Sequence, residues 1–239
     1  MPTNKGGLFR MLVGVDGCAD GWVCLASHDG QLEAFVVADL FELVERVPVD
    51  AVVAIDVPIG LPEKGSRRCD LEARKLLGAP RASSVFPAPV RACLRGADYE
   101  EACDLHAAAD GRRLTRQAFG ILPKIREVDA LLTTTAKLQE RVIDVHPEVS
   151  FREWAGRPMV HHKRRDPGRA EREALIEAVW PGERDRLAAA LGRVRFHQDD
   201  LNDAFAALWS AERIAAGTAR QLGSPPEFDS LGVRMRIVA

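Results

Sequence analysis

The stretch that most limits what this chain can fold into is LVGVDGCADGWVCLASHDGQLEAFVV, residues 12–37. Three short apolar runs, at 12–15, 22–26 and 32–37, are separated by segments too short for a helix. Each separator holds an Asp-Gly pair, Asp16-Gly17 and Asp29-Gly30. Asp-Gly favours the positive backbone angles of tight hairpin turns, so the spacing predicts an antiparallel meander. Asp39 then reads as a helix N-cap with Glu42 as its capping-box partner, and Leu40, Phe41, Leu43, Val44 and Val47 form a helical stripe. AVVAIDV, residues 51–57, is apolar apart from Asp56, the pattern of a strand covered on both faces in a parallel sheet. A meander joined through a helix to a parallel strand makes a mixed sheet, hence an α/β fold.

Downstream, PIGLPEKGSRRC is rich in turn formers and leaves the sheet. Residues 69–77 and 99–109 read as helices, and GAPRASSVFPAPV interrupts helix with Gly and Pro. Residues 114–138 are partly helical, with a break or kink at Pro123. RVIDV, 141–145, is a third sheet strand that runs directly into His146, Pro147 and Glu148. Helices follow at 169–179 and 185–191, and a longer one within 196–217, where Leu201, Ala204, Phe205, Leu208, Ile214 and Ala215 recur at helical spacing. The tail reads as a loop and one short edge strand, VRMRIV. These elements suggest a single domain over residues 11–239, with 61–138 as an insertion or cover.

The 239 residues are 46% hydrophobic and 28% charged, an ordinary globular balance. No apolar run is long enough for a membrane span. MPTNKGGLFR lacks the features of a signal peptide and reads as a lead-in to the first strand. Cys18, Cys24, Cys69, Cys93 and Cys103 are odd in number and form no CxxC pair, which points to a reduced, cytoplasmic protein. The formal charge of -2 argues against nonspecific coating of nucleic acid, but positive charge is concentrated locally. Residues 61–126 hold 13 Lys and Arg against 8 Asp and Glu, and residues 157–172 hold six against two. Such stretches are either solvated faces or surfaces for a polyanion.

Acids recur at the ends of apolar elements: Asp16, Asp56, Glu148, and the cluster Asp199, Asp200 and Asp203 at the start of the last helix. Ligands favour the crevice at the carboxyl ends of parallel strands, and several acids aimed there repel unless cations or protons intervene. Oxygen donors suit Mg²⁺ or Mn²⁺ better than zinc. Each acid also has a structural reading. Asp16 could stabilise a turn, Asp56 could cap local backbone, Glu148 could pair with His146 or a nearby arginine, and Asp199 could be an N-cap. Asp200 and Asp203 share a helix face, and either can be the ligand.

The segments GVDGCADGW, AIDVPIGLP, RRCDLEARKLLG, SSVFPAP, QAFGILPKIREVD, VHPEVSF and DDLNDAFAA span residues 14 to about 207. In this ordered set the chain resembles the predicted ribonuclease-H-like nucleases grouped under a domain of unknown function. That resemblance implies a ribonuclease-H-like mixed sheet with flanking helices and a largely helical middle insertion. It also implies a hydrolase that cleaves phosphodiester bonds in DNA or RNA with Mg²⁺ or Mn²⁺. Asp16, Asp56, Glu148 and either Asp200 or Asp203 would hold the metal, with Asp16 bridging two ions. Arg68 or Lys124 would neutralise substrate phosphate. His161 and His162, followed by Lys163, Arg164 and Arg165, form either a strip along a nucleic-acid backbone or a solvated loop. Two other readings stand beside this one. One is a nucleotide-dependent phosphotransferase or ATPase, although no Walker A motif is present; the other is an inactive nucleic-acid or protein-binding module. Ser83 and Ser84 lack the GxSxG elbow of a serine hydrolase.

Overall fold

The computed structural model describes residues 10–239, so the expected N-terminal lead-in lies almost wholly outside the described residues. Strands β1 (Leu12–Cys18), β2 (Gly21–His28) and β3 (Gln31–Val37) form the antiparallel meander. Asp29 and Gly30, both at positive φ, make the second turn. Asp16-Gly17 is not the first turn: β1 continues through it to Cys18, with Asp16 paired to Val23, and the chain reverses at Ala19 and Asp20. Helix α1 (Leu40–Arg46) starts at Asp39, whose side chain accepts from the Glu42 amide. It crosses to β4 (Val52–Ile55), which is parallel to β1, and β5 (Val142–Asp144) extends the parallel part. The sheet order is β3-β2-β1-β4-β5. The fold is therefore α/β with a mixed five-stranded sheet.

Alternation along the strands divides the core in two. Val13 and Val15 of β1 and Val53 and Ile55 of β4 pack under α1 and α5 (Leu122–Thr134), meeting Leu40, Leu43, Ile125, Val128 and Leu132. On the opposite face, Val23 and Leu25 meet Leu201, Ala204, Phe205 and Leu208 of α9 (Gln198–Ala215). On this side α6 (Pro147–Ala155) and α7 (Asp166–Val179) pack on α9, and α8 (Glu183–Leu191) packs on β3. Gly14 allows the close approach of α9 to β1: a Cβ there would lie 2.7 Å from the Leu208 Cα, and closer still to the Leu208 amide and the Ala204 carbonyl.

Residues 61–138 contribute in three places. Helix α2 (Arg68–Leu77) packs on the C-terminal strands β6 (Gln221–Phe228) and β7 (Arg234–Val238). Helices α3 (Tyr99–Asp110) and α4 (Arg116–Gly120) build a satellite cluster around Cys93, Cys103 and Leu122, and α5 joins the main core. Pro123 falls in the first turn of α5, where its missing amide is unneeded, so it starts a helix rather than kinking one. The tail is a two-stranded ribbon rather than one edge strand. Pro225 and Pro226 hide β6 from sequence patterning, and the pairing is irregular between Leu222 and Glu227, where they sit. No helix among the described residues is long and apolar enough to cross a membrane.

Candidate functional site

Asp16 and Asp56 are brought together by strand register. Val15 and Ile55 are partners in the parallel β1–β4 pair, and the Asp56 amide donates to the Val15 carbonyl at 3.0 Å. Asp16 and Asp56 are thus the next neighbours along adjacent strands, about 5 Å apart in backbone. Asp16 is two residues beyond Gly14 and so shares its α9-facing side. Asp203 on α9 comes from above. All three line one cleft of about 720 Å³, together with Glu148 in the first turn of α6 and Lys163 from the segment between α6 and α7.

Three of these acids are buried, Asp203 at 1% exposed, Glu148 at 5% and Asp16 at 8%, and Asp56 is half-buried. Burial, reinforced by the charges of Asp56 and Asp203, raises the Asp16 carboxyl well above the usual carboxylate range. Burial and Asp203 push Asp56 up to about 7, and burial also raises Asp203. Two cations oppose the repulsion. Lys163 donates its ammonium to Asp203 Oδ2; burial works against that charge, but Asp203, Asp16 and Asp56 together hold it protonated. Arg172 of α7 pairs with Glu148, so the structural reading of that acid is realised at one of its oxygens. The other, Glu148 Oε2, is buried without a partner, as is Asp203 Oδ1. Two buried carboxylate oxygens are therefore left without a hydrogen-bond donor. Even so, no three His, Cys, Asp or Glu side chains among the described residues form a ready ligand set.

The cleft lining also carries positive and polar groups: Arg81, Gln117, Lys124, His162 and Arg164, with Ser83, Ser84 and Phe86. The stem of Lys124 runs past Gly17, where an added Cβ would stand in ordinary contact with it at 3.5 Å. Its ammonium donates to the Gly21 carbonyl at 2.6 Å and lies over Trp22, and burial lowers its pKa. His146 also lines the cleft, and burial lowers its pKa, which favours the neutral ring. Cys18 lies there too, its thiol raised by burial rather than activated.

Two expected residues fall elsewhere. Arg68 is not in the cleft; it turns outward to pair with Glu227 of β6 at 3.1 Å. Its neighbour Arg67 points inward, wholly buried, bonding Asp70, Asp144 and the Ile59 carbonyl. Asp200 does not line the cleft either. It closes the capping box of α9 by accepting from the His197 amide at 2.8 Å, and His197, not Asp199, is the N-cap. The main residue that sequence reasoning missed is Lys163. It sits in a basic run that reads as either a strip along a nucleic-acid backbone or a solvated loop, and its pairing with Asp203 has no signal in the sequence.

A family model described as "Protein of unknown function (DUF429)" matches residues 14–228. The chain belongs to this family. The match covers every cleft residue except Ile237, so the acids and Lys163 all sit within the family's own span. No curated protein and no solved structure matches the chain.

Proposed function

We propose that this DUF429 protein is a divalent-metal-dependent hydrolase of phosphodiester bonds in DNA or RNA, with a ribonuclease-H-like fold. One observation carries the reading: Asp16 from β1, Asp56 from the end of β4 and Asp203 from α9 converge on one cleft whose lining also carries basic side chains. A mixed sheet with acids on its first strand, after its fourth strand and on its last long helix supports the same reading.

The residues fit a hard cation by donor type and by the unpartnered oxygens of Asp203 and Glu148. Asp16, Asp56 and Asp203 would hold it, with Glu148 Oε2 nearby. When bound, Mg²⁺ or Mn²⁺ supplies Lewis acidity toward a phosphodiester and its attacking water. The chain's own groups supply the rest. Lys124, Arg81 and Arg164 can take the nonbridging phosphate oxygens through charge-assisted bonds. The recessed carboxylates hold the reacting phosphate away from bulk water, where electrostatic interactions are stronger.

The test is a cleavage panel of single strands, duplexes, hybrids and branched DNA with Mg²⁺ or Mn²⁺, run alongside D16N and D203N. Cleavage by the wild type and its loss in both folded variants is the expected result. No turnover across the panel by folded, metal-loaded protein refutes the assignment. Nucleic-acid affinity without turnover points instead to a binding module, and metal binding that requires a nucleotide but no strand points to a phosphotransferase.

A further inference from the structure

Buried carboxylates in this protein are neutralised in two different ways, and the difference falls on the cleft. Arg172 grips Glu148 from a side chain that is itself 1% exposed, with Nη1 also bonded to the Gly168 and His161 carbonyls at 2.6 and 3.2 Å. That guanidinium is locked. Lys163 is built otherwise. Its ammonium reaches Asp203, whose side chain is 1% exposed, but its own side chain is 32% exposed along the cleft rim. A second carboxylate, Asp199, lies 3.6 Å from the same ammonium and nearer to solvent.

The backbone beneath Lys163 is fixed. Glu171 accepts from the Val160 and His161 amides at 2.9 and 3.2 Å, and the His162 carbonyl packs where a Cβ on Gly168 would stand. Motion is therefore confined to the four-carbon stem. An ammonium on such a stem is a compact, strongly hydrated charge that can exchange partners, unlike a planar arginine fork. Asp203 meanwhile keeps Oδ1 unpartnered, so a second cation can engage that oxygen before the lysine leaves Oδ2.

We propose that Lys163 is an exchangeable internal counter-ion: it holds Asp16, Asp56 and Asp203 together in the metal-free chain, and a divalent cation displaces its ammonium from Asp203 toward Asp199 and the open cleft. This rests on the metal-dependent reading above. The displaced ammonium then lies beside Arg164, which itself approaches Asp199 at 3.7 Å, and an anionic phosphate can take up both cations. Phosphate and metal consequently favour each other's binding, because each draws on the same lysine movement.

The experiment uses Mn²⁺ alone as the probe. Calorimetric titration of the full chain compares the wild type with Lys163→Met, which keeps the stem and loses the charge. Mn²⁺ is expected to bind K163M at least tenfold more tightly. In parallel, reductive methylation of the wild type followed by mass spectrometry reads the reactivity of the Lys163 amine. That reactivity is expected to rise several-fold at saturating Mn²⁺, a measurement that needs no folded variant. Equal or weaker Mn²⁺ binding by folded K163M overturns the counter-ion role and leaves the metal-dependent reading standing. Unchanged or reduced labelling at saturating Mn²⁺ overturns it likewise. Absence of Mn²⁺ binding in both proteins removes the proposal and the metal-dependent reading together.

Discussion

Gly14→Ala tests the link between packing and site most directly. The added Cβ would stand 2.7 Å from the Leu208 Cα, with the Leu208 amide and Ala204 carbonyl closer still. These are backbone atoms of a buried helix, so no side chain can rotate to relieve the clash. Reaching an ordinary contact of 3.4 Å with the Leu208 Cα alone requires α9 to retreat from β1 by about 0.7 Å, and the closer Leu208 amide and Ala204 carbonyl require more than that. Overpacking of this kind costs about 1–3 kcal/mol, and a backbone obstacle belongs at the upper end. For a chain of this size, about 3 kcal/mol corresponds to a fall in Tm of about 6–12 °C. Asp203 immediately precedes Ala204, so the retreat also draws its carboxylate away from Asp16 and weakens Mn²⁺ binding. Calorimetric melts and Mn²⁺ titration of G14A read both effects, with G120A as a control, since a Cβ at Gly120 meets nothing within 4 Å. A G14A melting temperature within about 2 °C of wild type refutes the argument that this glycine sets the helix-to-sheet distance.

Other substitutions separate the roles of individual charges. Arg172→Met strands the buried Glu148 carboxylate and should cost about 3–5 kcal/mol in urea unfolding, most of it recovered in the E148Q/R172M double variant; equal losses in the single and double variants refute the pairing. Asp56, pushed up to about 7 from its ordinary 3.8, keeps a proton in the folded chain over a pH window where the unfolded chain has lost it, so its contribution to stability falls as pH rises from about 4 to 7. At about 1.36 kcal/mol per pH unit the ceiling is about 4 kcal/mol. Partial access to water reduces this to about 1–2 kcal/mol. Without divalent cation, wild type should therefore lose that much relative to D56N between pH 4 and 8, and a pH-independent difference contradicts the burial argument. Arg68→Ala should leave oligonucleotide binding within about twofold, whereas Lys124→Met should weaken it by about tenfold; the reverse order restores Arg68 to the substrate.

What was legible in the sequence follows the range of the forces involved. The meander, α1, β4 and α9 are written in local turn chemistry and periodicity, and they lie close to where those signals put them. Errors arose where a tertiary contact overrode a local signal. Asp16-Gly17 carries a turn signature, yet the β1–β2 ladder runs through it, pairing Asp16 with Val23 and Gly17 with Trp22. At the start of α2, one residue's rotation decides which arginine turns inward, and the buried partners Asp70 and Asp144 select Arg67 over Arg68. The same reasoning separates Asp200 from Asp203: the first satisfies a local amide at the helix start, and the second lies nearly a turn further along, facing the sheet. Lys163 had no local signal at all, because its partner is 40 residues away.

The way each buried acid is neutralised separates structural acids from candidate functional ones more sharply than burial does. Asp70 and Asp144 are held by Arg67, Asp129 and Asp229 by Arg91, and Glu148 by Arg172. A guanidinium keeps its charge throughout the accessible pH range and offers a fixed fork of donors, so these pairs behave as permanent joints between segments distant in sequence. They tie the β4–α2 connection, α5, the C-terminal ribbon and α7 to the sheet. Asp203 instead has a lysine, and that one ammonium is shared by the charges of Asp203, Asp16 and Asp56. A chain needing only stability could put an arginine or a hydrophobic residue there, since replacing a buried ion pair by apolar residues is often neutral or better. Leaving three carboxylates short of positive charge costs stability, and that cost falls when protons or a further cation neutralise them. The deficit at the carboxyl edge of β1 and β4, in a protein that clamps its other buried acids with arginine, is the physical feature on which the proposed cation site rests.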